Sequence, residues 1–339
     1  MKKRILFTTV LNNSYFFGFI ALIESILIYN PNFNHPFKIY YSKEISPLDI
    51  ENINKIKSKY NFVTFHDVDL RKYKYCFETF IHYCHIQPSF PHNERLKPAF
   101  LALESFSENK YDQVCFLDTD MLVTGDLSPI WKNNRNGFWA CEGTPLRSPT
   151  GFTLDKRGYK LINSGIFIIG KDLLGYSILH KILNYQIKLN DIRKFGNLAD
   201  QTLLNAFFAE KTNLLEPVYN TRFAIDDLKI NLTKLILNLG IKIIHYSSMG
   251  IKPWEFGILS VEKSYPKLRR RNDKSMRMFW RKLFFKSADM DIIMDYIQHN
   301  LIIFQNKNLR MAREKFSDLI NVLLPNKLIK NAKRLLHRV

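Results

Sequence analysis

The chain has 339 residues, 46% of them hydrophobic and 14% aromatic, too apolar for a disordered chain and enough to bury a sizeable core. That length holds one large α/β domain with an appendage, or two modest domains. The formal charge of +19 is unevenly placed: residues 263–339 carry 19 Lys and Arg against 6 Asp and Glu, which points to an attached surface-binding segment, for anionic lipid or nucleic acid, rather than a uniformly basic protein.

The chain opens on Met1-Lys2-Lys3-Arg4 and an apolar run, Ile5–Val10, that is broken at Asn12-Asn13-Ser14. Glu24 interrupts the next apolar run and no small-residue cleavage site follows. No stretch approaches the roughly 20 apolar residues that a spanning helix needs. Residues 5–10 therefore read as a buried first strand and residues 16–29 as a helix docked on it. Further short apolar runs follow at Phe37–Tyr41, Asn61–His66, Val114–Leu117, Gly165–Ile169 and Ile241–His245. Stretches with helical spacing, including Pro47–Lys59, Leu96–Phe106 and Asp200–Phe208, separate many of them. Strand–helix alternation of this kind predicts an α/β fold, a mostly parallel sheet covered by helices. No Gly-x-Gly-x-x-Gly follows the first strand, which counts against an ordinary dinucleotide site. Cys76, Cys84, Cys115 and Cys141 form no Cys-x-x-Cys pair, so reduced thiols in a cytosolic protein are expected. The character changes near residue 260. The expected division is a catalytic domain over 1–260 and a basic, mainly helical region over 261–339, where basic and apolar residues alternate as in Trp280-Arg281-Lys282.

The chemistry concentrates at Val114–Leu117 followed by Asp118-Thr119-Asp120 and a second apolar run. Two carboxylates at the carboxyl edge of a parallel sheet, flanked by apolar residues, are costly to place without a cation. Asp118 and Asp120 are therefore candidate metal ligands. Downstream, Ile243-Ile244-His245 runs into Gly250, Lys252, Pro253 and Trp254. An imidazole with two carboxylates suits Mn²⁺ better than Mg²⁺, and Lys252 would meet phosphate oxygens as a point charge.

These motifs, in this order, resemble glycosyltransferase family 8. The resemblance covers roughly residues 1–257 and rests on Phe116-Leu117-Asp118-Thr119-Asp120 with Gly125–Trp131 behind it, on Asn163-Ser164-Gly165, on Asp200-Gln201 with Asn205, and on the His245–Trp254 element. It implies a GT-A fold and a retaining enzyme that moves a hexose, galactose or glucose, from a UDP-sugar to a glycan acceptor. It further implies Mn²⁺, with Mg²⁺ as the alternative, held by Asp118, Asp120 and His245. By the same resemblance Thr8 and Tyr15 lie where the family binds uracil, and Arg95 and Lys97 match a basic motif that contacts the donor. Asn163, Asp200 and Gln201 match positions around the transferred sugar, with Asp200 and Gln201 nearest the reacting centre, while Gly250 and Lys252 match diphosphate contacts. Residues 11–14 lack the acidic residue the family often has there, and residues 144–160 diverge in a region that could shape the acceptor pocket. The family analogy and the basic tail together imply lipopolysaccharide, lipooligosaccharide or capsule synthesis at the inner membrane face, the tail resting on anionic lipid. Nucleic acid is not expected as a partner.

Two other readings compete. A haloacid-dehalogenase-type phosphatase also ends an apolar strand in Asp-x-Asp, and Asp226-Asp227 could mimic its second acidic pair. Asp118 lies deep in the chain for that reading, and His245–Trp254 would have no task. A basic nucleic-acid-binding protein on a catalytically dead fold fits the tail but leaves Asp118, Asp120, His245 and Lys252 unexplained. Asp191 and the histidines His82, His85 and His92 read as loop or surface residues.

Overall fold

The computed structural model describes residues 3–86, 93–133, 135–143, 146–148, 151–152, 161–196, 198–223, 231–247, 252–254, 267–289 and 291–297. Gly250, Asp226-Asp227, most of 144–160 and everything after 297 lie outside these residues, as does the side chain of Arg95.

In chain order the strands are β1 (Ile5–Val10), β2 (Phe37–Tyr41), β3 (Val63–Asp67), β4 (Gln113–Leu117), β5 (Met121–Val123), β6 (Phe138–Glu142), β7 (Leu146–Ser148), β8 (Gly151–Phe152), β9 (Ile162–Gly170), β10 (Thr212–Leu215) and β11 (Ile243–His245). The helices are α1 (Phe16–Tyr29), α2 (Ile50–Lys59), α3 (Lys74–Ile86), α4 (Ser128–Lys132), α5 (Tyr176–Leu183), α6 (Leu189–Phe195), α7 (Asp200–Phe208), α8 (Leu232–Asn238) and α9 (Lys267–Ser287). A seven-stranded sheet runs in the order β10, β6, β9, β4, β1, β2, β3. Its pairings are parallel except for β9, which is antiparallel to both β4 and β6. The expected α/β, mostly parallel architecture is present.

Alternation along the strands divides the core between the two faces. Leu6, Val114, Phe116, Phe167 and Ile169 point into a cluster with Phe100, Phe106, Leu179 and Phe208. Ile5, Phe7, Cys115, Leu117, Ile166 and Ile168 point into another with Phe19, Ile20 and Ile23 of α1. Both faces are covered, which is why β4 is buried at every position and reads as an unbroken apolar run. The α1 helix is apolar nearly all round because it lies between β5 and α9.

Local expectations needed adjustment. The run at 165–169 is part of a longer strand, β9, directed against its neighbours. The run at 241–245 shortens to β11 and leaves the main sheet, pairing antiparallel with β5. The stretch at 96–106 winds as a 3-10 helix over Asn93–Ser107 containing Pro98, a residue that removes one amide donor an α-helix would use.

Beyond Trp254, α9 turns its apolar side inward. Trp280 and Phe284 are fully buried, and Phe284 and Tyr296 meet Phe17 of α1 at 6.2 and 5.1 Å between ring centroids. Lys59 of α2 bridges Glu24 of α1 at 2.7 Å and Asp289 at 2.9 Å, fastening the segment after α9 to the body. Lys282 and Lys286 remain exposed.

Candidate metal and nucleotide site

The site forms where β4 ends. Asp118, Thr119 and Asp120 make the turn into β5 rather than extending β4, and the Asp118 amide donates to the Gly165 carbonyl of β9 at 2.8 Å. Pairing of β5 with β11 then sets Met121 opposite His245, while the Tyr246 amide donates to the Asp120 carbonyl at 2.9 Å. Two residues far apart in the chain are thereby brought together by one short antiparallel ladder. Ligand atoms of Asp118, Asp120 and His245 all lie within 4.8 Å of one another.

Three observations test whether these residues suit a divalent cation. His245 Nε2 faces Asp120 Oδ1 at 3.1 Å and Asp118 Oδ2 at 3.5 Å, yet it is buried and makes no aligned hydrogen bond. A buried imidazole nitrogen in that condition is ready to be a ligand. On the other side of the ring, Nδ1 stands 2.8 Å from Asn220 Oδ1. Asn220 Nδ2 donates to Asn163 Oδ1 at 2.8 Å, which fixes the Asn220 oxygen toward the ring, so Nδ1 carries a hydrogen and Nε2 is the atom left for a cation, which would take the place of any proton held there. Finally, Gly165 forms a cradle for the ring: a Cβ there would lie 2.7 Å from His245 Nδ1 and 2.9 Å from Met121 Cε. The donor set of two carboxylates and one imidazole fits a borderline dication such as Mn²⁺.

Lys252 supplies further positive charge. Its Nζ donates to Asp120 Oδ2 at 2.6 Å and to the Tyr246 carbonyl at 3.1 Å, and it lies 5.7 Å from the centre of the Tyr15 ring. Burial acts to lower the Lys252 pKa, but Asp120 outweighs it and holds the ammonium above its ordinary value. For Asp120, burial favours the neutral form, and Lys252 and His245 together overcome it, leaving the carboxyl well below its usual range. His245 is raised: burial opposes its charged form, and Asp120 and Asp118 more than compensate. Asp118 is the open member, its side chain 40% exposed against 8% for Asp120.

The same amide chain reaches α7. Asn163 Nδ2 donates to Gln201 Oε1 at 2.9 Å, so one oriented relay runs from His245 through Asn220 and Asn163 to Gln201. Asp200, beside it, is 5% exposed. Burial, with the Asp118 charge adding, pushes its carboxyl up to about 8.

The structure thus brings Asp118, Asp120, His245 and Lys252 together, with Tyr15 alongside and Asn163, Gln201 and Asp200 on the adjoining edge. Thr8 is apart from this group: it is fully buried and its hydroxyl is 2.8 Å from that of Ser105. Lys97 is half-buried on the 3-10 helix of 93–107. Two contributors escaped the sequence reading. Asn220 sits in a turn after a short 3-10 helix, 25 residues before the histidine it holds, with no local motif to mark it. Gly165 belonged to a recognised motif, but its closeness to the imidazole is a tertiary fact.

The protein named glycosyltransferase GlyF from Streptococcus pneumoniae serotype 4 is 26% identical over 191 residues, 53% of this chain and 42% of that protein. The chain thus spans less than half the length of this curated relative. Among solved structures, galactosyltransferase LgtC in complex with donor and acceptor sugar analogues superposes with a TM-score of 0.50 at 14% identity, covering 84% of this chain and 97% of that one. The apo form of glycosyltransferase GlyE from Streptococcus pneumoniae gives a TM-score of 0.47 at 18% identity, covering 87% of this chain and 63% of that one. The sequence family described as glycosyl transferase family 8 matches residues 7–257, a span that contains Asp118, Asp120 and His245, and the chain belongs to that family.

Proposed function

We propose that this glycosyltransferase moves a hexose, galactose or glucose, from a UDP-sugar to a glycan acceptor with retention of configuration, using Mn²⁺ at Asp118, Asp120 and His245. The observation that carries the reading is the convergence of those three side chains, with Lys252 paired to the same Asp120. A dication held there supplies positive charge beside the departing diphosphate. Lys252 adds a fixed point charge where negative charge grows as the glycosidic bond breaks. The amide relay turns Gln201 Oε1 toward Asn163 and so directs the Gln201 amide hydrogens the other way, toward the space a transferred sugar would fill. Asp200 lies close by, and its carboxylate, once the proton held by burial is lost, would assist the oxocarbenium-like centre, while the buried surroundings of Asp120 and His245 limit the water able to hydrolyse the donor.

The proposed acceptor is a growing surface glycan of the lipopolysaccharide, lipooligosaccharide or capsule class, reached from the cytoplasmic membrane face. Among the described residues no helix is long and apolar enough to cross a membrane. The exposed lysines of α9 and the basic composition of 298–339 support docking on anionic lipid. Deletion of residues 298–339 should then lower binding to anionic liposomes more than turnover on a soluble acceptor.

The deciding experiment offers UDP-galactose, UDP-glucose and their N-acetyl relatives and measures UDP release with and without Mn²⁺. Asp118→Ala should lower turnover by about a thousandfold or more while the protein stays folded. Near-normal Mn²⁺-dependent turnover of that variant, or no release from any UDP-sugar by the unaltered chain, would overturn the assignment.

A further inference from the structure

The family match ends at residue 257, yet α9, which begins at Lys267, packs against the element that carries Lys252. Three contacts make the connection. Arg281 is 6% exposed and its Nε donates to the Pro253 carbonyl at 3.2 Å. Trp280, fully buried, lies 5.7 Å from Trp254 between ring centroids. The Tyr246 hydroxyl donates to the Met276 carbonyl at 3.3 Å, and it is the Tyr246 carbonyl that receives Lys252 Nζ. Trp254 in turn is pinned from the opposite side. Its Nε1 donates to the Ser14 carbonyl at 2.9 Å, and its ring lies so close over Gly18 that a Cβ there would be 2.6 Å away.

We infer that α9 is part of the donor-binding machinery and that Arg281 is a positioning residue, setting where the Lys252 ammonium stands. The inference rests on the reading of Lys252 as a diphosphate contact. Lysine ends a flexible four-carbon stem, so the place of its charge depends on how firmly its backbone is held. Pro253, the next residue, cannot donate a backbone hydrogen bond and offers only its carbonyl. A guanidinium is costly to bury, and this one, placed beside Tyr296, is spent inside the contact between α9 and the Lys252 element. Its rigid fork does give Pro253 a fixed partner from a long helix that is itself anchored on α1 through Phe284. The helix thereby holds Lys252 from the residue after it, while the Met276 carbonyl holds the side chain of Tyr246, the residue whose own carbonyl Lys252 binds.

The test compares Arg281→Met, Arg281→Lys and Phe285→Ala in the full chain. Phe285 is a buried residue of the same helix that packs on Phe284 and Tyr296, and it serves as the control for helix docking. Mn²⁺ affinity is read by electron paramagnetic resonance, UDP affinity by calorimetry at saturating Mn²⁺, and melting temperature alongside. Arg281→Met should weaken UDP binding about tenfold, while affinity for Mn²⁺ alone should stay level or rise, as Lys252 is drawn off Asp120, and should not fall. Arg281→Lys should shift UDP in the same direction by less, and carries the test if the methionine variant does not fold. Phe285→Ala should lower the melting temperature with UDP affinity within about twofold of the unaltered chain. Unchanged UDP affinity in the Arg281 variants would overturn the inference, as would an equal loss in Phe285→Ala, which would reduce α9 to general support. Failure of the unaltered chain to bind UDP at all would instead remove the donor reading, and this inference with it.

Discussion

Substituting Gly165 by alanine tests the metal site without altering any ligand. The new Cβ would stand 2.7 Å from His245 Nδ1 and 2.9 Å from Met121 Cε, whereas comfortable non-bonded contact begins at about 3.5 Å. Met121 can bend away, because its side chain is flexible. The imidazole cannot, being held by Asn220 at Nδ1 and by its own strand pairing with Met121. The ring's Cε1 would be closer still, so relief requires the ring to retreat by more than about 0.8 Å, several times the roughly 0.2 Å tolerance of a coordination sphere. Mn²⁺ affinity should fall on the order of a hundredfold. Crowding a packed interior costs about 1–3 kcal/mol, which a domain of this size can bear, so circular dichroism and cooperative melting should be retained. Titration of free Mn²⁺ by electron paramagnetic resonance, at matched folded fraction, reads the effect. A folded Gly165→Ala protein that binds Mn²⁺ within about twofold of the unaltered chain would show that His245 is not a ligand in the place described.

The same site yields further expectations. Asn220→Ala removes the partner that fixes the His245 tautomer and should weaken Mn²⁺ binding by about 10–100-fold; an unchanged affinity would discount the relay. Lys252→Met removes a cation 2.6 Å from Asp120, so it should tighten binding of Mn²⁺ alone, by about tenfold, while weakening UDP. Weaker Mn²⁺ binding in that variant would contradict the charge balance argued here. Asp200 holds its proton to about pH 8 in the folded chain, against an ordinary carboxyl near 3.8. The native state keeps a proton the unfolded chain has lost, so stability is full below about pH 4 and falls by about 1.4 kcal/mol per pH unit until about pH 8. Asp200→Asn abolishes this slope, and urea unfolding of metal-free protein between pH 5 and 7.5 should show the variant gaining on the parent as pH rises. Parallel stability curves would refute the shift.

Much of the site could be read in the residues because its chemistry is local. An apolar run ending in Asp118-Thr119-Asp120 announces both the strand and the ligands, and His245 with Lys252 stands in a short recognisable element. Strand direction is another matter: β9 is apolar on both faces like its parallel neighbours, and side-chain pattern does not record which way a fully buried strand runs. Asn220 went unseen because its partners, Asn163 and His245, are contributed by separate strands. The alternation of basic and apolar residues after 263 allows both a helix packed on the body and a membrane-facing one, and the role argued for α9 depends on Trp280 and Phe284 and on one arginine facing inward. Pro98 was visible, but its effect on helix type emerged only in three dimensions.

The relay from His245 to Gln201 has a directional consequence. Each primary amide in it is oriented head to tail, so no single member can reverse without setting oxygen against oxygen or amide hydrogen against amide hydrogen at a neighbour. On the proposed reading, the grip on a cation and the presentation of Gln201 are therefore coupled settings. An attempt to retune sugar preference by replacing Gln201 with a side chain lacking an acceptor oxygen would leave the Asn163 amide unanswered and loosen the histidine at the far end. Selectivity and metal affinity in this enzyme would then drift together under mutation.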